Sequence, residues 1–178
     1  MSTAGGSNPE YVTARVGARK SALYGDEEYP KLVRMGPSEI ARFMEEADYE
    51  AEITALWARP SGLDRIAYAS PRNLARQLRE LRKWACGRLY DLIARYLRKF
   101  DAWNVKTVIR GRYSGADRAD IEDDLIRAGE FDDDLVDSLL DAPSIEEVVE
   151  RLDGTIFGDD LTDAYDDYED SGVLVPLE

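Results

Sequence analysis

Two short segments of this chain read as worn copies of each other. Thr13-Ala14-Arg15-Val16-Gly17-Ala18-Arg19 resembles Asn104-Val105-Lys106-Thr107-Val108-Ile109-Arg110, 91 positions on. Further along, Ser38-Glu39-Ile40-Ala41-Arg42-Phe43-Met44-Glu45-Glu46 resembles Ile145-Glu146-Glu147-Val148-Val149-Glu150-Arg151, about 105 positions on. The order is the same in both halves. A repeat of this kind points to stacked, similar helical lobes rather than to one active site built once. The longer second interval implies about a dozen extra residues in the second copy, which the acidic stretch 116–134 could supply.

The periodicity between the repeats is helical throughout. Residues 1–7 are small and polar and read as a frayed start. Asn8-Pro9 reads as an N-cap followed by proline at the first helical position, opening a helix to about Tyr24 that stops near Gly25. A short helix over about 27–35 follows, then Gly36-Pro37-Ser38 and an apolar face of Ile40, Phe43, Met44 and Ala47. Pro60-Ser61-Gly62 marks a break. Ser70-Pro71 then opens the longest predicted helix, with Leu74, Leu78, Leu81, Ala85, Leu89, Leu92 and Tyr96 forming one seam as far as Phe100.

Asp101 is expected to cap a further helix from Ala102 to Tyr113, ended by Ser114-Gly115. Shorter helices are expected over 120–128, 132–140 and 159–169, and Ser144 with Glu147 forms a capping-box pattern before Val148, Val149 and Leu152. The last residues, 172–178, are apolar without a closing signal, as if the chain stopped in mid-structure. No alternating strand of useful length occurs, so the expected class is all-α.

Charge is distributed unevenly. Residues 1–64 carry 7 basic and 11 acidic groups, residues 65–113 carry 13 and 3, and residues 114–178 carry 3 and 23. The whole chain is at −14, with 18 arginines but only 5 lysines. Such a surface fits a protein working in molar salt, where the Debye length is about 3 Å and acidic self-repulsion is screened. An acidic interaction tail in an ordinary cytoplasm is the rival reading. One cysteine, Cys86, excludes an internal disulfide and fits a reducing compartment. No apolar run is long enough to span a bilayer.

The same inventory narrows the chemistry. Without histidine there is no Ser-His-Asp triad, Cys-His pair or histidine zinc site. Cys86, between Ala85 and Gly87, reads as a small packed helix residue rather than a nucleophile. No glycine precedes a lysine, so no P-loop exists, and Gly-x-Gly-x-x-Gly is absent. The runs Asp132-Asp133-Asp134 and Asp159-Asp160 lack the glycine and closing glutamate of a calcium loop and read as solvated surface. No catalytic residue, metal or cofactor is therefore expected. The basic block Arg72, Arg76, Arg79, Arg82, Lys83, Arg95, Arg98 and Lys99 has three readings: pairing with the acidic half, contact with protein or lipid head groups, and grip on nucleic acid.

Several runs then resemble a known family. Tyr11-Val12-Thr13-Ala14-Arg15-Val16, Tyr29-Pro30-Lys31-Leu32-Val33-Arg34-Met35 and Glu39-Ile40-Ala41-Arg42-Phe43-Met44-Glu45-Glu46-Ala47-Asp48-Tyr49 are similar to the C subunit of the archaeal A-type ATP synthase, whose V-type counterpart is called d. The most specific run is Tyr96-Leu97-Arg98-Lys99-Phe100-Asp101-Ala102-Trp103-Asn104-Val105-Lys106-Thr107, with Leu125-Ile126-Arg127-Ala128-Gly129-Glu130-Phe131 a further landmark. Together they cover nearly everything from Tyr11 to about Glu169.

The resemblance implies a funnel-like assembly of three similar helical lobes. On one side the funnel receives the foot of the central shaft. On the other it rests on the cytoplasmic loops of the membrane rotor ring. The protein would do no chemistry and would pass torque between proton flow and the catalytic head. It would lie peripherally on the cytoplasmic side of the cell membrane, in a halophilic archaeon, without nucleic acid and without a transmembrane segment of its own.

Family members are about twice as long, so the expected organisation here is a tail over 1–10, a first lobe over 11–100 and an incomplete second lobe over 101–178. Arg15, Arg19, Lys106 and Arg110 recur at i, i+4 in both copies and are the candidate interface, lining equivalent polar surfaces. Their plain alternative is a solvent-facing stripe worth tenths of a kcal/mol per pair. A free-standing helical protein-binding module is the alternative function, with a nucleic-acid binder third.

Overall fold

The computed structural model describes residues 6–59 and 61–177. The polar start over 1–7 falls outside these as far as residue 5, as do Pro60 of the expected break and Glu178 at the apolar end. Among the described residues the secondary structure is helical without a strand, so the all-α expectation holds. The chain divides into two compact units, Met1–Leu97 and Arg98–Glu178.

The first unit contains α1 (Pro9–Lys20), α2 (Tyr29–Leu32), α3 (Pro37–Glu45), α4 (Glu50–Ala55) and α5 (Gly62–Trp84). Its core is small: Ala41 and Met44 of α3, Ile53 of α4, Leu56 just after it, and Ala69 of α5. α1 is shorter than its pattern suggests. Its last carbonyls are closed by Ser21, Ala22 and Leu23 in successive turns, which leaves Tyr24 to pack its ring 5.4 Å from that of Phe43. α2 is likewise only the centre of the predicted segment.

The long predicted helix differs from expectation at both ends. Its start is not Ser70-Pro71: Ser61 accepts from the N–H groups of Leu63 and Asp64, and α5 begins there with Pro71 inside it. An interior proline costs about 3 kcal/mol, and the packing of α5 on α3 and α4 through Ile66 and Ala69 offsets it. The seam also does not continue to Phe100. Ala85 is extended, with φ −82° and ψ 150°, Gly87 takes φ 56°, and a new helix, α6 (Gly87–Ser114), begins.

The agent of this break is Asn8. Its Nδ2 donates to Trp84 O at 2.8 Å, and its Oδ1 accepts from Cys86 N at 3.0 Å. Ser7 Oγ accepts from Leu89 N at 3.2 Å in the first turn of α6. Asn8 thus makes no side-chain cap on α1, where the sequence placed it. Its amide is spent on the orphan groups between α5 and α6. Cys86 is consequently not a packed helix residue but an exposed one in the break. Leu74, Leu92 and Tyr96 of the expected seam are exposed as well.

α6 runs straight through Asp101, so that residue caps no new helix. The division between the units falls inside α6. The second unit continues with α7 (Arg118–Asp123), α8 (Asp133–Asp141), α9 (Ile145–Arg151), α10 (Gly158–Ser171) and a 3-10 turn over Val175–Leu177. Its core is larger, built from Val105, Val108 and Ile109 of α6 against Leu139, Leu140 and Val148. Each such side chain contributes about 1.5–3 kcal/mol. α7 is shorter than the predicted 120–128 helix, because the backbone beyond Asp123 is held by α6 instead. Ser144 accepts from Glu147 N as expected, whereas the Glu147 carboxylate turns to Arg151, so the box is half closed.

Candidate functional site

In each unit the polar face of a long helix grips a turn. In the first, α5 holds the turn between α3 and α4. Asn73 Nδ2 and Arg76 Nη2 both donate to Asp48 O at 2.7 Å, and Gln77 Nε2 donates to Asp48 Oδ2 at 2.6 Å. Arg76 Nε pairs with Glu52 Oε1 at 2.6 Å. Glu52 and Asn73 are buried. The hydrogen bond to Glu52 is the largest reason the Arg76 guanidinium titrates above its ordinary value, outweighing the opposing effect of burial.

Two of the residues singled out by the repeat lie beside this grip. Arg19 bonds Asp48 at 3.4 Å and also pairs with Glu80. Its guanidinium carbon is 5.8 Å from the centroid of Trp84, and that of Arg15 is 4.7 Å away. Arg15 and Arg19 are therefore brought together on one indole. Arg19 also lines a groove of 460 Å³ whose apolar wall includes Val16, Leu23, Tyr49 and Leu74. Tyr24 also lines this groove, and its hydroxyl is buried without a hydrogen-bond partner among the described residues. Burial is the main cause that raises its pKa, reinforced by Tyr49 and Asp48.

In the second unit the gripping helix is α6. The Asp101 carboxylate, almost fully buried, accepts from Glu130 N at 2.7 Å and Phe131 N at 3.2 Å. Asn104 Nδ2 donates to Ile126 O at 2.9 Å while its Oδ1 accepts from Ile126 N at 2.8 Å. Trp103 Nε1 donates to Asp124 O at 3.3 Å. Three residues of one helical turn thus hold five backbone groups of the irregular segment 124–131. Sequence reading missed this role for Asp101 and Asn104. The available signal was spacing: Ala94, Leu97, Asp101, Asn104 and Val108 are all buried and follow one another at 3, 4, 3 and 4 residues. Two of them are polar, which hid the stripe.

Two arginines gather four of the acidic residues of this unit, Glu122, Asp133, Asp137 and Asp141. Arg127 bonds Asp137 at 2.6 Å and reaches Asp133 and Glu122 at 3.4 and 3.3 Å. Burial lowers the pKa of Arg127, yet the hydrogen bond and charge of Asp137 outweigh it and the net direction is upward. Arg118 bonds Asp141 and Glu122, both at 2.7 Å. In the basic block, Arg76 and Arg98 pair internally, with Glu52 and Glu130.

Lys106 is partly buried on α6, and Arg110, one turn on, is exposed. Arg110 and Thr107 line a second groove, of 610 Å³. These positions correspond, 91 residues apart, to Arg19 and Val16 on the groove of the first unit. The repeated helix therefore borders a groove with the same two positions in each unit. Arg15 and Lys106 do not line either groove.

Comparison with known proteins returns a family model described as "ATP synthase (C/AC39) subunit", matched over residues 12–178. The C subunit of the A-type ATP synthase of Haloferax volcanii is 72% identical over 178 residues, covering 100% of this chain and 51% of that protein. The Haloquadratum walsbyi protein of the same name is 71% identical over 97% of this chain and 50% of its own length. That of Methanosarcina mazei is 40% identical over 83% of this chain and 41% of its own. The chain spans about half the length of the curated relatives it matches most fully.

Proposed function

The chain belongs to the ATP synthase (C/AC39) subunit family, and from that premise we propose that it serves in a non-catalytic central-stalk component of a rotary A-type ATP synthase. In this reading it couples the rotor shaft to the membrane ring that translocates ions, and it sits peripherally on the cytoplasmic side of the cell membrane. Its partners are the shaft subunits and the cytoplasmic loops of the ring. The observation that carries the reading is the match over residues 12–178, together with relatives of that name covering the whole chain. The described residues are compatible with it: no helix among them is long and apolar enough to cross a membrane. Polar grips hold the turns of each unit on stiff helices, as a part that transmits torque requires.

Arg15, Arg19, Lys106 and Arg110 are proposed as part of the contact surface. Arg15 and Lys106, which make no ion pair with either turn among the described residues, are its better reporters. Arg15→Glu with Lys106→Glu in the full-length protein should lower ATP synthesis by energised membrane vesicles while leaving its level in the assembled complex unchanged. Unchanged synthesis removes these residues from the interface.

The reading itself is tested by immunoprecipitating the chain from detergent-solubilised membranes in molar salt. Recovery of shaft, ring and catalytic-head subunits supports it. Recovery from the soluble fraction with none of them overturns it in favour of a free-standing helical binding module.

A further inference from the structure

The groove of the second unit has the composition of a protein-docking site. On α6 its lining residues Trp103, Thr107, Arg110 and Ser114 fall at i, i+4, i+7 and i+11, one helix face about 16 Å long at 1.5 Å per residue. Helices pack by setting such 3-4 spaced ridges against one another, so the face matches about three turns of a second helix. Trp103 and Tyr113 are 50% and 53% exposed in it. Tryptophan, tyrosine and arginine are the residue types that dominate interface energetics. Trp103 is also preset, since its indole N–H is fixed on Asp124 O. Little side-chain freedom remains to be lost on docking.

Charge selects the occupant. The first unit holds 15 basic and 13 acidic residues, net +2; the second holds 8 and 24, net −16. Asp120 and Asp124 lie in the groove lining, with Arg110 as the basic residue among them. A partner with an acidic flank would meet this field unfavourably, whereas a basic one is steered in. We propose that this groove docks a basic amphipathic helix of a partner protein. The helix lays an apolar stripe on Trp103, Tyr113 and Leu174 and places its lysines or arginines against Asp120 and Asp124. The assignment goes beyond the stalk reading and does not need it.

The test uses the whole chain and synthetic probes. A fluorescent Leu/Lys peptide of about 18 residues, leucines at helical spacing, is compared with a scramble of the same composition and with a Leu/Glu counterpart. The Leu/Lys helix should bind, and the other two at least about tenfold more weakly. Asp120→Lys with Asp124→Lys should weaken binding about tenfold. Asp159→Lys with Asp160→Lys in the first turn of α10, the same change in net charge at residues outside the groove lining, should leave it within about twofold. Trp103→Ala should weaken it about tenfold, with Trp103→Phe intermediate and far-ultraviolet circular dichroism confirming that the variants fold. Equal weakening by both charge-reversed pairs, equal binding of the scramble, or preference for the Leu/Glu peptide overturns the proposal.

Discussion

Gly129 sits against the buried carboxylate of Asp101 with no room for a side chain: a β-carbon built on its backbone would overlap the carboxylate. Asp101 comes from the run that resembles the family most specifically, and Gly129 from the further landmark over 125–131. Asp101 needs this approach to accept the N–H groups of Glu130 and Phe131, just beyond the glycine.

Gly129→Ala is therefore expected to destabilise the chain by about 2–3 kcal/mol, by forcing the 124–131 segment off α6. Asp101→Ala opens space instead, but strands two amide donors, at a cost of about 2–4 kcal/mol. Asp101→Asn keeps one acceptor and should cost less than either. Urea unfolding of the three variants checks the order. A Gly129→Ala variant as stable as the parent would mean that the contact is slack.

The ion pair of Arg76 with Glu52 gives an asymmetric prediction. Removing the cation leaves a carboxylate that is 7% exposed. Arg76→Met should cost about 2 kcal/mol, below the range for fully buried pairs because the arginine side chain is 29% exposed. Adding Glu52→Gln to Arg76→Met should restore part of that loss, since the stranded charge is gone. A double variant no more stable than Arg76→Met alone would show that packing, not charge, holds this turn.

Helix class and most helix existence were legible from spacing and punctuation: Ser114-Gly115, Asp132 and Ser144 mark ends that the structure reproduces. What was not legible came from contacts distant in sequence. Nothing local says that Asn8 will reach position 86, so the seam from Leu74 to Tyr96 read as one helix although an amide divides it. Asp101 looked like a helix cap because an aspartate before an apolar run usually is one; its acceptors are filled from some thirty residues away. The repeat did place Arg19 and Arg110 at corresponding positions, and each borders a groove. The grooves themselves, and Trp103 and Tyr113 in the second, depend on how the following helices pack.

Tyr24 predicts a pH dependence. Its pKa lies above the ordinary 10.0 because its hydroxyl is buried, and that of Tyr49 is raised by burial in the same way. Above pH 10 the unfolded chain therefore loses these protons first, the folded chain binds more of them, and stability falls as pH rises. Below that range neither group contributes a slope. Tyr24→Phe should flatten the alkaline decline. Near neutrality it should be neutral or stabilising by up to about 1 kcal/mol, because the hydroxyl it removes has no partner among the described residues. Thermal melts from neutral to strongly alkaline pH decide this. An unaltered alkaline slope in Tyr24→Phe would assign the decline to other groups.

Salt should act most strongly through the second unit. α10 carries Asp159, Asp160, Asp163, Asp166, Asp167, Glu169 and Asp170 without a basic residue. Two opposing effects follow from added salt: it weakens the exposed pairs of Arg118, and it screens the repulsion within a unit at −16. Exposed pairs contribute about 0–1 kcal/mol each. The repulsion sums over many carboxylates and is cut to contact range when the Debye length falls from about 10 Å at 0.1 M to about 3 Å at 1 M. Repulsion thus outweighs the pairs, and Tm should rise from dilute buffer to molar KCl. Salt also strengthens apolar burial, so a control with fewer charges is needed: Asp163→Asn, Asp166→Asn, Asp167→Asn and Asp170→Asn together. If screening dominates, this variant melts higher than the parent in dilute buffer and gains less from KCl. A variant with the parent's full salt response would place the effect in the apolar core instead, and a Tm that falls with salt would make the arginine pairs the dominant electrostatic contribution.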